Sequence, residues 1–449
     1  MTQDWKIDTF DALTAGDGLN ANANTVLVVT DSLEGVSEIG ETLIKLGYRV
    51  QVSLASGHIM RGMPMSAPDA ILLALDNLLD QAEPILKAIR NHIQSPLVPV
   101  IGYLGATIER PETLDSVLFK PCHPQQIATR VDAMIRLQSM QHEIMRRGQV
   151  LRLGFDQDYA LSESALGREL RVLFIGKAKP EFMIVLNAMR ERNVEVVAAF
   201  TSFTAFDYLH GREFDAVIID AMDAAEPASS ILSSMQRNVR LFHVPKIVMV
   251  RKDKTSPCPQ DLLDKATDIV SSSDPTEEIT NRILEPANYH RMHSQLKAEF
   301  EGMGGKTARD PDTGLYNREY LEAYLDFLSN EGEERTVCVV RLMPSASFSV
   351  DDAFVRVATA QAGGFLAGLV RVNDLVARLS DDSFAIAVPK MSESQIYGLT
   401  QRVIQVIECA AFESGKKGAG AFTMNVNLTI EDGNDPLPAA TRVSRLLAA

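Results

Sequence analysis

The sequence predicts two α/β modules followed by one α+β module. Three observations carry that prediction. Short apolar runs alternate with helical patterns over about 120 residues from Thr25, as in a doubly wound parallel sheet. The same alternation returns from Leu170. From about Arg309 the order changes to adjacent strands joined by a turn and flanked by helices. At 449 residues the chain has room for about three domains of ordinary size.

Residues 1–24 read as a flexible lead that ends in Gly16, Gly18 and an Asn/Ala stretch. The first module covers 25–140. Thr25–Val29 is a buried-strand run, a helical pattern reaches Leu46, and strands follow at Val50–Leu54, Ala70–Leu73 and Val98–Tyr103. The second module covers 168–290, with strands at Arg171–Ile175, Val194–Ala199, Ala216–Ile219 and Ile247–Val250. It is a weak internal repeat of the first in order and spacing. The third module, 305–449, follows a glycine-rich break at Gly302, Gly304 and Gly305. Its order is helix, strand Thr336–Leu342, helix Asp352–Leu369, strand Leu375–Leu379, strand Phe384–Val388, helix Ser392–Cys409 and strand Ala421–Thr429. That order fits a ferredoxin-like core.

Composition narrows the function classes. The chain is 46% hydrophobic and 23% charged, ordinary for a soluble protein. A net charge of −15 argues against broad attraction to nucleic acid or an anionic bilayer. Cys122, Cys258, Cys338 and Cys409 lack metal-ligand spacing and read as buried thiols in a reducing compartment. The acidic start (Asp4, Asp8, Asp11) is unlike a signal peptide, and no apolar run approaches the ~20 residues that span a bilayer. A cytoplasmic protein without membrane insertion is expected, reaching a cell pole only through a partner.

In the first module Asp31 closes Val28-Val29-Thr30-Asp31, and Lys120 sits in Phe119-Lys120-Pro121. These positions resemble the receiver domains of response regulators, which have the flavodoxin-like fold. There, two acids hold Mg²⁺, an Asp ending the third strand accepts a phosphoryl group, and a Lys neutralises the developing charge. The match puts Ala74 at the acceptor position and Leu104 at the Thr/Ser position; only a shifted register would offer Asp76 or Asp69. In the second module Asp220 falls on the acceptor position. However, Ile175-Gly176-Lys177 occupies the place of the metal acids and Ser272 that of the Lys. Neither module is expected to carry phosphoryl chemistry, and both read as dimerisation or docking surfaces.

Asp310-Pro311-Asp312-Thr313-Gly314-Leu315-Tyr316-Asn317-Arg318 opens the third module, and Ser380-Asp381-Asp382-Ser383-Phe384 forms its hairpin. Both resemble the GGDEF family of diguanylate cyclases, whose fold is nucleotidyl-cyclase-like. In that family a glycine pair admits the GTP phosphates, and carboxylates on the hairpin and first strand hold the metal. Here Ser380 and Asp381 replace the glycines, Asp382 keeps one carboxylate, and Ser383 replaces the next. Arg341 stands at the first-strand metal position. A degenerate, inactive cyclase is expected, with no cofactor and no metal.

Arg371 and Asp374 lie immediately before the hairpin, in the register of the family's Arg-x-x-Asp inhibitory site for cyclic di-GMP. The resemblance makes Arg371 a fork for phosphate and guanine and Asp374 an acceptor for guanine N–H groups. Arg402 is a candidate third contact and Arg378 a weaker one. The layout as a whole resembles PleD-type response regulators, and among them a non-catalytic branch. That implies a cyclic di-GMP effector that recruits proteins, as an adaptor for ClpXP proteolysis in cell-cycle control, and a homodimer through its receivers. A residual or heterodimeric cyclase and a nucleotide-independent scaffold are the alternatives.

Overall fold

The computed structural model describes the chain except residues 1–5, 9–12, 16–23, 33–36, 57–58, 62–65, 76–77, 94–97, 106–112, 121, 158–167, 239, 252–257, 346–351, 414–420, 432–436 and 449. Asp76 and Pro121 therefore lie outside the described residues. The chain forms two compact units, residues 1–138 with 164–295 and residues 139–163 with 296–449. The boundaries expected at 140 and 290 both fall inside helices, Pro124–Phe155 and Thr276–Gly302.

The first unit holds both parallel sheets. One runs Val194–Ala199, Leu170–Ile175, Ala216–Asp220, Lys246–Val250, Asp268–Ser271, every neighbouring pair parallel. The other has the same core order: Arg49–Ser56, Thr25–Thr30, Ala70–Ala74, Val100–Gly105, Ser116–Lys120. This is the flavodoxin-like doubly wound order. Central strands covered on both faces must be apolar throughout. Val26, Leu27, Val28 and Val29 are accordingly all buried, as are Val172, Leu173 and Phe174.

The repeat extends to individual hydrogen bonds. Asp69 Oδ2 accepts from the Thr25 amide at 2.6 Å, and Asp215 Oδ2 accepts from the Arg171 amide at 2.8 Å. Each acid pins the start of its central strand. Asp69 is thus occupied at the opposite end of the sheet from a phosphoryl acceptor. Among the missed strands, Ile59–Arg61, Ser116–Lys120 and Asp268–Ser271 are short.

The reading of residues 1–24 as flexible is corrected in two places. Lys6–Asp8 pairs in parallel with Ile59–Arg61, and Leu13–Ala15 pairs antiparallel with Arg49–Ser56. Leu13–Ala15 covers the start of Arg49–Ser56, whose end pairs with Ile59–Arg61, and Lys6–Asp8 covers Ile59–Arg61. Open backbone groups take such partners without needing a side-chain pattern.

The two modules pair within this unit through equivalent residues. Arg130 Nη1 donates to Ser116 Oγ at 2.7 Å, and Arg282 Nη1 donates to Asp268 Oδ1 at 3.0 Å. Arg282 Nη2 also reaches the Phe119 carbonyl at 3.0 Å. Glu285 Oε1 accepts from the Ser116 hydroxyl at 2.9 Å and the Val117 amide at 3.1 Å.

The second unit has a mixed sheet in the order Tyr316–Asn317, Leu375–Arg378, Ser383–Pro389, Arg335–Ser345, Ala421–Glu431, Phe412–Glu413. Each neighbouring pair among its four central strands is antiparallel. Helices Asp352–Leu369 and Glu393–Cys409 bury Ala362, Leu366, Val403 and Ile407 against Val340, Phe384 and Ile386. Gly363 permits this approach, because a Cβ there would stand 2.9 Å from Phe384 Cε1. Among the described residues no helix is long and apolar enough to cross a membrane. All four cysteines are free; Cys338 is buried as expected, but Cys409 is exposed. Cys409 ends its helix off the stripe set by Leu399, Val403 and Ile407.

Candidate functional site

Helix Asp352–Leu369 ends just before the Arg371–Asp374 turn, which leads directly into strand Leu375–Arg378. Asp374 Oδ2 accepts from the Arg371 amide at 2.8 Å, and the Asp374 amide donates to the Arg371 carbonyl at 3.0 Å. The pair therefore closes its own turn, a local capping use of the carboxylate. Asp374 is buried at 8% exposure, and burial raises its pKa against the opposing Arg371 amide and the charges of Arg371, Arg147 and Arg335. The Arg371 side chain is left exposed. Arg402, also exposed, donates to the Leu369 carbonyl at 3.3 Å, at the same helix end. Two guanidinium groups thus flank one turn, as an anionic ligand with phosphate groups requires.

The turn is held from behind by residues of helix Pro124–Phe155 that belong to this unit. Arg147 Nη2 donates to the carbonyls of Asn373 at 2.9 Å and Asp374 at 3.1 Å. Its Nε donates to Glu143 Oε1 at 2.7 Å, and the Tyr324 hydroxyl donates to the same oxygen at 2.8 Å. Arg147 lies over the rings of Phe300 and Tyr316, at 4.8 and 5.5 Å. Ser139 adds a contact, accepting from Asn373 Nδ2 at 2.6 Å. Sequence reasoning missed Arg147 and Glu143. Their signal was an (i, i+4) charge pair in a helix, which is ordinarily a solvated feature.

Arg378 does not join this group, which corrects the expectation that it lines the ligand pocket. Its side chain is only 5% exposed and is taken by carboxylates. Nη1 donates to Asp310 Oδ1 and Asp312 Oδ2, each at 3.0 Å, and Nη2 lies 3.5 Å from Asp381 Oδ1. Arg378 thereby ties the module's opening motif to its hairpin. Burial raises the Asp310 carboxyl, but bonds from Thr313 and Arg378 outweigh it and hold the group below the usual range.

In the hairpin, Asp382 Oδ1 accepts from the hydroxyls of Ser380 at 2.8 Å and Ser383 at 2.7 Å. Arg341 is the cross-strand partner of Ser383, and its guanidinium donates to the Leu447 carbonyl. Burial pushes Asp382 up, yet the Ser383 and Ser380 bonds and the Arg341 charge bring it below the ordinary carboxylate range. Two hydroxyls thus satisfy the Asp382 carboxylate, and the Arg341 charge favours its ionised form. Asp381 is left exposed.

In the first unit, Asp220 lies at its strand end, where its Oδ1 accepts from the Met222 amide at 2.9 Å. Its Oδ2 lies 3.2 Å from Lys179 Nζ, which also stands 2.9 Å from Asp223. Beside that backbone hydrogen bond Asp220 thus has an ion pair, and sequence reasoning overlooked Lys179. Gly176 allows the close packing, since a Cβ there would fall 2.4 Å from Asp220 Cβ. In the other module Ala74 ends its strand in register with Thr30, Asp31 is exposed, and Lys120 lies over the Tyr103 ring at 5.0 Å. Among the described residues no group of three His, Cys, Asp or Glu side chains is placed to hold a metal.

No family model matches the sequence, and no curated protein matches it. Solved structures that are similar include the diguanylate cyclase SiaD of Pseudomonas aeruginosa, crystallised with its activator SiaC, at 20% identity and a TM-score of 0.27. That match covers 36% of this chain and 62% of the SiaD chain. The GGDEF domain of DgcB from Caulobacter crescentus, in complex with c-di-GMP, matches at 19% identity and a TM-score of 0.26, over 33% of this chain and 87% of that one. A response regulator from Thermotoga maritima matches at 16% identity and a TM-score of 0.24, over 27% of this chain and 99% of that one.

Proposed function

We propose that this chain is a catalytically inactive diguanylate cyclase homologue that senses cyclic di-GMP and passes its state to protein partners. The observation that carries the reading is Arg341 beside Asp382, while Arg371 and Arg402 stay exposed at one helix end. A fixed cation at the metal position opposes Mg²⁺ binding, and Ser380 with Asp381 crowds the place where phosphates would approach. The exposed pair of guanidinium groups suits a ligand with two phosphates and guanine edges.

By its resemblance to PopA, the non-catalytic paralogue of PleD-type regulators, the chain would act as an adaptor for ClpXP-dependent proteolysis in cell-cycle control. It would work in the cytoplasm, reach the pole through a partner, and dimerise through receiver faces. Calorimetric titration with cyclic di-GMP tests the ligand: wild type binds, and Arg371→Ala does not. Wild type without binding overturns the reading in favour of a nucleotide-independent scaffold. Incubation with GTP and Mg²⁺ or Mn²⁺ yields no cyclic di-GMP; product formation would establish a residual cyclase.

A further inference from the structure

A cavity of about 190 Å³ opens in the first unit, between its two parallel-sheet modules. Its volume is well above the ~10–15 Å³ that a single water requires. Its wall is basic: Arg136 from one helix, His243 and Lys246 from the approach to a strand, and His290 and His293 from a second helix. The acid in the lining, Asp132, is already engaged by the Arg136 guanidinium and lies 3.4 Å from the Tyr48 hydroxyl. Lys246 commits one of its three donors to the Phe242 carbonyl at 2.8 Å. His290 Nδ1 is buried with no hydrogen-bond partner among the described residues. Such a buried polar atom in a native fold calls for a ligand or water.

These groups oppose one another's protonation. Burial first, then the charges of His293, Arg136, His290 and Lys246, pushes His243 down to about 4. Burial also lowers His290 to about 4, with His293, Arg168 and Lys246 adding to the effect and Asp215 opposing it. Burial alone brings Lys246 down to about 8. Basic side chains from several elements converge on one cavity, and an anion there would offset the burial that keeps the two histidines neutral.

We propose that this cavity binds a small phosphate-type oxyanion between Arg136, Lys246 and the three histidines. A tetrahedral anion can accept from donors on several elements at once, and its charge removes the mutual repulsion of the bases. A divalent metal is disfavoured by Arg136 and Lys246 in the same wall. The anion also favours protonated histidine, so binding draws in protons and strengthens as pH falls. Asp132 and Asp215 face the same groups and limit the effect without reversing it. The inference is independent of cyclic di-GMP recognition.

Full-length protein titrated with inorganic phosphate by calorimetry at pH 6 and pH 8 tests it. With sulfate as a second probe, whose charge is constant over this range, one saturable event is expected, tighter at pH 6, with proton uptake read from buffers of different ionisation heat. Phosphate, which itself titrates between these pH values, should compete for the same site. Arg136→Gln and His293→Gln should each weaken it about tenfold, the loss expected for one charge-assisted hydrogen bond. Histidine NMR resonances of wild type should shift on phosphate addition, a readout that stands even where a variant fails to fold. Absence of saturable binding at both pH values, or unchanged binding in both folded variants, would overturn the proposal. Competition by a nucleoside monophosphate would place the phosphoryl group on a larger molecule, and failure to compete would assign free phosphate.

Discussion

Arg147 Nη2 donates to the main-chain carbonyl of Asp374 at 3.1 Å, across 227 positions of sequence. The aspartate of the Arg-x-x-Asp turn is therefore held from both sides. Its carboxylate closes the turn on Arg371, and its carbonyl is gripped by a buried guanidinium from a helix that precedes the module. Under the proposed function, ligand affinity at Arg371 would depend on residues that never touch the ligand.

Arg147→Ala leaves Glu143 buried without its nearest cation, which typically costs about 3–5 kcal/mol. Urea denaturation should show that loss for the C-terminal unit. Arg147→Lys keeps the charge but lacks the planar fork, so it should recover part of the stability while cyclic di-GMP affinity stays reduced. Equal affinity in wild type and Arg147→Lys would show that the turn does not need the clamp.

The hairpin yields a titration. Arg341→Ala removes the cation beside Asp382, so the Asp382 carboxyl should titrate higher, as followed by carboxyl carbon NMR. The sign follows from linkage. A depressed carboxylate contributes stability above its ordinary range that is lost as pH falls through its folded value. Arg341→Ala should accordingly lose less stability than wild type between pH 5 and pH 3. Parallel acid profiles would exclude the Arg341–Asp382 interaction.

The histidines of the first unit set the opposite end of its acid sensitivity. His243 and His290 are held near 4 when folded, against an ordinary value of 6.5. Between those values the unfolded chain binds more protons, so stability falls as pH drops through that window. His290→Gln should flatten the decline in denaturation midpoints from pH 6.5 to pH 4. An unchanged slope would place the sensitivity elsewhere.

Asp220 is paired with Lys179, so an internal ammonium stands where the receiver resemblance would put a metal ion. Beryllofluoride with Mg²⁺, followed by fluorine NMR, should give no protein-bound signal in wild type. A bound signal that disappears in Asp220→Asn would show that Lys179 yields the carboxylate.

Much of the architecture was legible from period and order. Continuous apolar runs such as Thr25–Val29 and Ala216–Ile219 have one good interpretation when helical patterns separate them. Arg341 was legible through the family resemblance, which puts it at the first-strand metal position, and the strand register sets it opposite Ser383. Arg378 was not, since its partners Asp310 and Asp312 lie 68 and 66 residues away and the direction of a guanidinium is set by folding. Lys179 escaped because Lys177 and Lys179 share one loop, and only the folded geometry puts Lys177 on Asp223 and Lys179 on Asp220. The strands Lys6–Asp8 and Leu13–Ala15 left no pattern because backbone pairing at an edge asks little of side chains.

Arg282 and Glu285 come from the second parallel-sheet module, yet they satisfy Phe119, Val117 and Ser116 in the last strand of the first. The last strand of the first module is thus finished in part by the second. A change at Glu285 is felt at Ser116 before it is felt by any partner. A first module cut free of the second would leave these strand groups to solvent, so its last strand is expected to hold only while the second is attached.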